Sequence, residues 1–226
     1  MSETPHIVSD VMTWTVVAVG RDALFKEIVR TMEQWKVSAM PVLAGEGRVV
    51  GVVSEADLLP KEEFRDSDPN LLEQRRRLSD LAKAGAVTAG ELMSTPAITV
   101  HPDATLAQAA RIMAVRRVKR LPVIDDEGML QGIVSRADLL KVFLRSDEEI
   151  GEEVRRTVVS YLFPAFSHAI HVNVHEGVVT LRGHIRDTSL ISVAVRLVRA
   201  VEGVVDVEPH LTGQSAASGR GPEKTP

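Results

Sequence analysis

The chain has 226 residues, a length that accommodates one or two domains, and 27 Lys and Arg against 31 Asp and Glu leave a formal charge of −4. Apolar residues at 44% and charged residues at 26% fit a folded soluble protein and exclude a disordered one, and the negative balance offers no global field to gather nucleic acid. With no cysteine, disulfide scaffolds, thiolate-bound zinc and thiol nucleophiles are all excluded.

The opening MSETPHIVSD is acidic and polar, unlike a secretory leader. No apolar run reaches the ~18 residues that span a bilayer. The expectation is a soluble, cytoplasmic protein.

Further along, the chain repeats itself. Laying residues 11–59 over 92–140, a gapless offset of 81, gives 18 identities in 49 positions. They include Met12 and Met93, Asp22 and Asp103, Pro41 and Pro122, Gly51 and Gly132, Ser54 and Ser135, and Asp57 and Asp138. Each copy opens on a short apolar stretch (Val16 to Val19; Ile98 to Val100) and an Asp able to cap a helix (Asp22; Asp103). Helical spacing follows through Leu24, Ile28, Met32 and Trp35, and through Leu106, Ala109, Ala110 and Met113. Pro-Val, a Gly-containing turn and a second apolar run then lead to Ser-x-x-Asp-Leu-Leu. Each copy reads as strand, helix, strand, turn, strand, helix start.

Two copies of G-h-h-S-x-x-D-L (h, apolar), each behind a Pro-Val strand, resemble paired CBS (cystathionine-β-synthase) domains, the Bateman module. The resemblance covers about residues 8–145 and implies an α+β fold, with β-α-β-β-α units packed sheet to sheet around a cleft. It divides the chain into a first CBS domain (1–59), a linker helix (60–86) and a second CBS domain (87–145). The linker reads as an exposed helix from Asn70 to Ala84, with Arg75 to Arg77 on a solvated face.

After Phe143 comes an acidic-then-basic helix, Asp147 to Phe163, with Ile150, Val154, Val158 and Leu162 at four-residue intervals. Two strands around a tight Glu176-Gly177 turn follow, then a helix from Thr188 to Val201 and a last strand, Val204 to Leu211. The phrase HVNVHEGVVTLRGHI, the helix and VEGVVDVEPHL resemble the BON domain over 148–212, a small α-β-β-α-β unit. That resemblance implies docking on phospholipid or protein. His171 and His175 share one side of their strand and read as exposed polar positions, without the convergence a metal needs. The tail, 213–226, is rich in Gly, Ser and Pro and reads as disordered.

The CBS resemblance implies an adenine nucleotide in the cleft, AMP, ADP or ATP, alone or with Mg, as a regulatory ligand. Asp57 and Asp138 would take ribose hydroxyls, while Ser54 and Ser135 would meet phosphate. Physically, a carboxylate accepts from two hydroxyls at once, and a hydroxyl at a helix start can donate to an anion. Each Ser and Asp is equally able to cap its own helix. Val16, Val17, Ala97 and Ile98 would line the base, with Thr95 beside them. Lys119 and Arg120 match positions that approach the phosphates, and Arg136 stands where the first copy has Glu55. This asymmetry leads to the expectation that the second copy's site dominates. No nucleophile turn, phosphate-cradling loop or hydrolytic carboxylate pair is present, so the chain is expected to be non-catalytic. Two functions remain: a nucleotide-regulated module controlling its BON domain, or a homodimeric adaptor in which the CBS pair is structural.

Overall fold

The computed structural model describes residues 6–64, 78–165 and 167–213. Contacts divide them into two units, His6–Leu139 and the described residues from Leu140 onward. In the first unit, the first copy comprises α1 (Val8–Val11), β1 (Val19–Gly20), α2 (Phe25–Trp35), β2 (Ala39–Ala44), β3 (Arg48–Ser54) and α3 (Glu55–Leu58). The linker supplies α4 (Pro60–Glu63) and α5 (Leu78–Gly85). The second copy supplies α6 (Ala89–Leu92), α7 (Leu106–Arg116), β4 (Arg120–Ile124), β5 (Leu130–Ser135) and α8 (Arg136–Leu139). Antiparallel hairpins β2–β3 and β4–β5 form the sheets, and β1 adds in parallel to β2.

Both first strands are shorter than expected. Val16, Val17 and Ala18 precede β1 without ladder bonds, and in the second copy Val100 alone bridges Val123 in parallel. Asp22 and Asp103 do not cap the helices. Thr105 caps α7, its hydroxyl accepting from Gln108 N–H at 3.2 Å while Gln108 Oε1 accepts from Thr105 N–H at 2.9 Å. This reciprocal pair satisfies two otherwise orphaned donors, which a lone Asp two residues earlier does not. Ile28, Met32, Leu106, Ala109 and Met113 are buried as the spacing predicts, while Leu24, Trp35 and Ala110 face solvent. Of the linker helix, Asn70 to Arg77 lies outside the described residues.

The two copies are locked by exchange. Thr13 bridges Ile133 and Ser94 bridges Val52; Ile7 bridges Thr105 and Leu24 bridges Thr88. Each pair maps onto the other at the offset of 81, and Arg48 bridges Met129, its own counterpart. The segment leading into each copy is therefore hydrogen-bonded to the other copy's sheet, in an approximately twofold arrangement. The repeated glycines make this possible. A Cβ on Gly132 would lie 2.5 Å from Met12 Sδ, and one on Gly51 would lie 2.8 Å from Met93 Cγ.

In the second unit, a 3-10 turn (Leu140–Leu144) leads to α9 (Asp147–Val154), a π turn (Arg155–Val159) and α10 (Ser160–Leu162). The extra residue of the π turn changes the buried stripe: Ile150, Val154 and Val158 are buried as expected, but Val159 and Phe163 follow in place of Leu162. Ser160 reinforces the turn, its N–H and its hydroxyl both donating to Arg155 O, the hydroxyl at 2.8 Å. Strands β6 (Ile170–His175) and β7 (Val178–Ile185) form a hairpin. Its turn residues Glu176 and Gly177 both have positive φ, 50° and 74°. The Asp147 carboxylate accepts both their N–H groups at 2.9 Å, tying the start of α9 to the turn. After α11 (Leu190–Arg199), β8 (Asp206–Gly213) adds to β7 in parallel. His171 and His175 lie on the exposed side of β6.

Gly51→Ala is expected to lower stability by about 1–3 kcal/mol through overpacking against Met93. Urea unfolding checks this: the midpoint falls in Gly51→Ala and recovers in part when Met93→Ala makes room.

Candidate functional site

The exchange gives the first Ser-Asp pair neighbours from the other copy. Ser54 ends β3 and caps α3, whose Asp57 reaches back so that Oδ2 accepts from Ser54 N–H and Oγ–H, both at 2.7 Å. The second copy repeats this, Asp138 Oδ2 accepting from Ser135 N–H at 2.9 Å and from Oγ–H at 2.6 Å. Both motifs thus serve as helix caps, with the hydroxyl protons directed at the carboxylates. Asp57 is buried, 7% exposed.

Beside Asp57 opens a cavity of about 290 Å³, at the small end of the roughly 300–1,000 Å³ typical of small-molecule sites. The first copy lines it with Ser38, Ala39, Val52 and the run from Ser54 to Asp57, Glu55 included; the second supplies Ser94, Pro96, Ala97, Ile98 and the run from Arg117 to Arg120. Thr95 anchors the intervening segment, its hydroxyl donating to Val50 O at 2.9 Å. Upstream, Glu91 accepts from Val87 N–H at 2.8 Å and Thr88 N–H at 3.1 Å, and these bonds hold its carboxyl below the ordinary carboxylate range. At the far side, Arg117 ends α7 in the left-handed conformation, φ 56°, and Val118 N–H closes on Met113 O at 3.0 Å. That bend brings residues 117–120 to the cavity. Arg120 spans the copies, donating to Ser38 Oγ at 2.6 Å and to Ala39 O at 3.4 Å.

The lining thus combines apolar side chains (Ala39, Val52, Ala97, Ile98), the carboxylates of Asp57 and Glu55, and the cations Arg117, Lys119 and Arg120. It suits a ligand that joins an apolar group to hydroxyls and an anion.

Of the residues singled out from sequence, Ser54, Asp57, Ala97, Ile98, Lys119 and Arg120 meet in this cavity. Thr95, Val16, Val17, Ser135, Arg136 and Asp138 are not part of its lining. Thr95 is committed to Val50, and Arg136 donates to Val118 O at 3.1 Å. Lys119 and Arg120, expected beside the second copy's own pair, line the first pair's cavity, while the Lys119 carbonyl accepts Arg136 N–H at 3.1 Å in the second motif. Val17, which follows the strand-bridging Thr13, packs against the cluster built around Ile28, Met40 and Val53 of the first copy. Ser38, Ser94 and Arg117 were not foreseen. Ser38 and Ser94 are the repeat counterparts of Lys119 and Thr13, a relation that becomes useful once exchange is recognised. Lys83 of α5, also unforeseen, pairs with Asp57.

These interlocked copies, closed around a slot and followed by a small α/β unit, are the architecture of a CBS pair joined to a BON domain. The profile of the CBS domain matches residues 8–61 and 89–145, and that of the BON domain 146–214. The uncharacterized protein MJ1426 of Methanocaldococcus jannaschii is 30% identical over 154 residues, covering 61% of this chain and 91% of that one. The chain belongs to the CBS-domain family, with tandem CBS domains and a C-terminal BON domain. Among solved structures, CBSX2 in complex with AMP is 27% identical with a TM-score of 0.54, covering 62% of this chain and 97% of that one. The CBS pair of MJ0100, in complex with 5-methylthioadenosine and S-adenosyl-L-methionine, shares the fold at 19% identity and TM-score 0.50, covering 61% and 99%.

Because its folded-state pKa is lowered, the Glu91 carboxylate stabilises the fold above the ordinary carboxylate range, and that contribution is lost as pH falls through the lowered value. Glu91→Gln is therefore expected to be less stable than wild type at neutral pH. The gap should close as pH falls below the ordinary carboxylate range, as read from denaturation midpoints across pH.

Proposed function

We propose that the CBS pair is a non-catalytic regulatory module that binds an adenine nucleotide and controls the BON domain as an interaction module. One observation carries this reading: the cavity between the copies combines a buried carboxylate, apolar walls and the cationic run at Arg117 to Arg120. CBSX2, solved with AMP, supports it. In the cavity, the base would lie against Ala97 and Ile98, the ribose toward Asp57, and the phosphate toward Lys119 and Arg117. Ser54 reaches phosphate only by turning its hydroxyl away from Asp57. Ser135 and Asp138, with Arg136, Val16 and Val17, would form the second site of the pair, with Thr95 acting as a scaffold residue for the first. Magnesium, where present, would accompany a polyphosphate ligand.

We assign the module to the cytoplasm, and take the BON domain's partner to be protein or phospholipid, not nucleic acid. Exposed Trp35 and Val29 on α2 and Val115 on α7 favour a homodimer formed through the CBS pair. Sedimentation velocity should show twice the monomer mass, and Trp35→Glu should reduce the dimer fraction.

AMP at about a hundred times its Kd is expected to add roughly 2.7 kcal/mol to unfolding stability. Lys119→Ala is expected to weaken AMP about tenfold by removing a charge-assisted contact. If AMP, ADP, ATP and S-adenosylmethionine at millimolar levels all leave the unfolding transition unmoved, the nucleotide reading fails.

A further inference from the structure

The acceptor positions of Asp57 are filled by the protein itself. Oδ2 takes Ser54 N–H and Oγ–H, while Oδ1 takes the Ser94 hydroxyl at 3.4 Å and the Lys83 ammonium. An ionised carboxylate offers about four lone-pair sites, so two ribose hydroxyls find no acceptor until a donor leaves. The Ser54 bonds form the cap of α3 and persist as long as that turn does. Ser94 is held on β3 through its backbone, Ser94 N–H donating to Val52 O at 2.9 Å. Lys83 belongs to neither copy's sheet. It arrives from α5 in the linker, with its side chain 21% exposed against 10% for Asp57.

We propose that Lys83 is a built-in competitor for the ribose position, so that the first site fills only when the ammonium leaves Asp57. This rests on the nucleotide reading above and adds a means of regulation. Two states follow, Lys83 on Asp57 or ligand on Asp57. The coupling is reciprocal: whatever holds α5 in place weakens the ligand, and the ligand weakens the hold on α5. A second tether keeps α5 nearby, Lys61 Nζ donating to Ala84 O at 2.9 Å while lying 5.3 Å from the Phe25 ring centroid. Losing the Lys83 bond therefore leaves α5 attached through Lys61.

The test is calorimetric titration of AMP into the full chain in an Asp138→Ala background, which isolates the first pair, with Lys83→Met and Lys83→Arg added singly. Lys83→Met is expected to bind AMP about tenfold tighter, because the competing state is gone. Without ligand it should also melt lower, since a buried carboxylate has lost its counter-charge. Opposite signs in affinity and stability are not what a purely structural lysine would give. Lys83→Arg, which keeps the cation, should stay near the parent. Equal or weaker AMP binding by Lys83→Met overturns the competitor while leaving the nucleotide reading intact. No binding by parent or variant overturns the nucleotide reading, and the competitor with it. Hydrogen exchange on the wild-type chain gives a second readout that needs no variant: amides of residues 78–85 should lose protection when AMP is added, and unchanged or increased protection overturns the proposal.

Discussion

The fold depends on a close approach of backbone and methionine made twice. Met12 lies against Gly132 and Met93 against Gly51, each sulfur where a side chain at the glycine would begin. All four methionine and glycine positions repeat at one offset, so the contact and its image form together. A side chain at either glycine would press on the methionine of the crossing segment and strain the bridge beside it, Thr13–Ile133 or Ser94–Val52. The cavity inherits this constraint, since Pro96, Ala97 and Ile98 follow directly on the crossing at Ser94.

Around that contact, the legible and illegible parts of the sequence separate cleanly. Repetition, helix spacing, the Ser-x-x-Asp motif and the Glu176-Gly177 turn are local patterns, and local patterns carried the fold class and the family. Exchange is not local. Nothing in the string says whether Lys119 attends its own copy's Asp138 or the other copy's Asp57. Simple adjacency favours Asp138, while the folded chain brings Lys119 to the cavity beside Asp57. Helix starts failed for a related reason: Asp22 and Asp103 look like caps, but Thr105 with Gln108 satisfies the orphan donors of α7 better. The π turn after Val154 was equally invisible, because four-residue spacing predicted Leu162 and one inserted residue buried Phe163 instead.

Lys83 shows a different limit. In the sequence it is one lysine in a polar linker, without a repeat counterpart to draw attention to it. Its position against Asp57 follows from the short path between α5 and the buried Ala86, Ala89 and Leu92.

The bridge between Arg48 and Met129 has a consequence of its own. These two positions are images of one another, so the approximate axis passes between them, and a residue at that point meets its own counterpart. Were the two halves identical separate chains, this position would face itself. With both copies in one chain, a point on the axis need not tolerate its own reflection, and an arginine stands opposite a methionine.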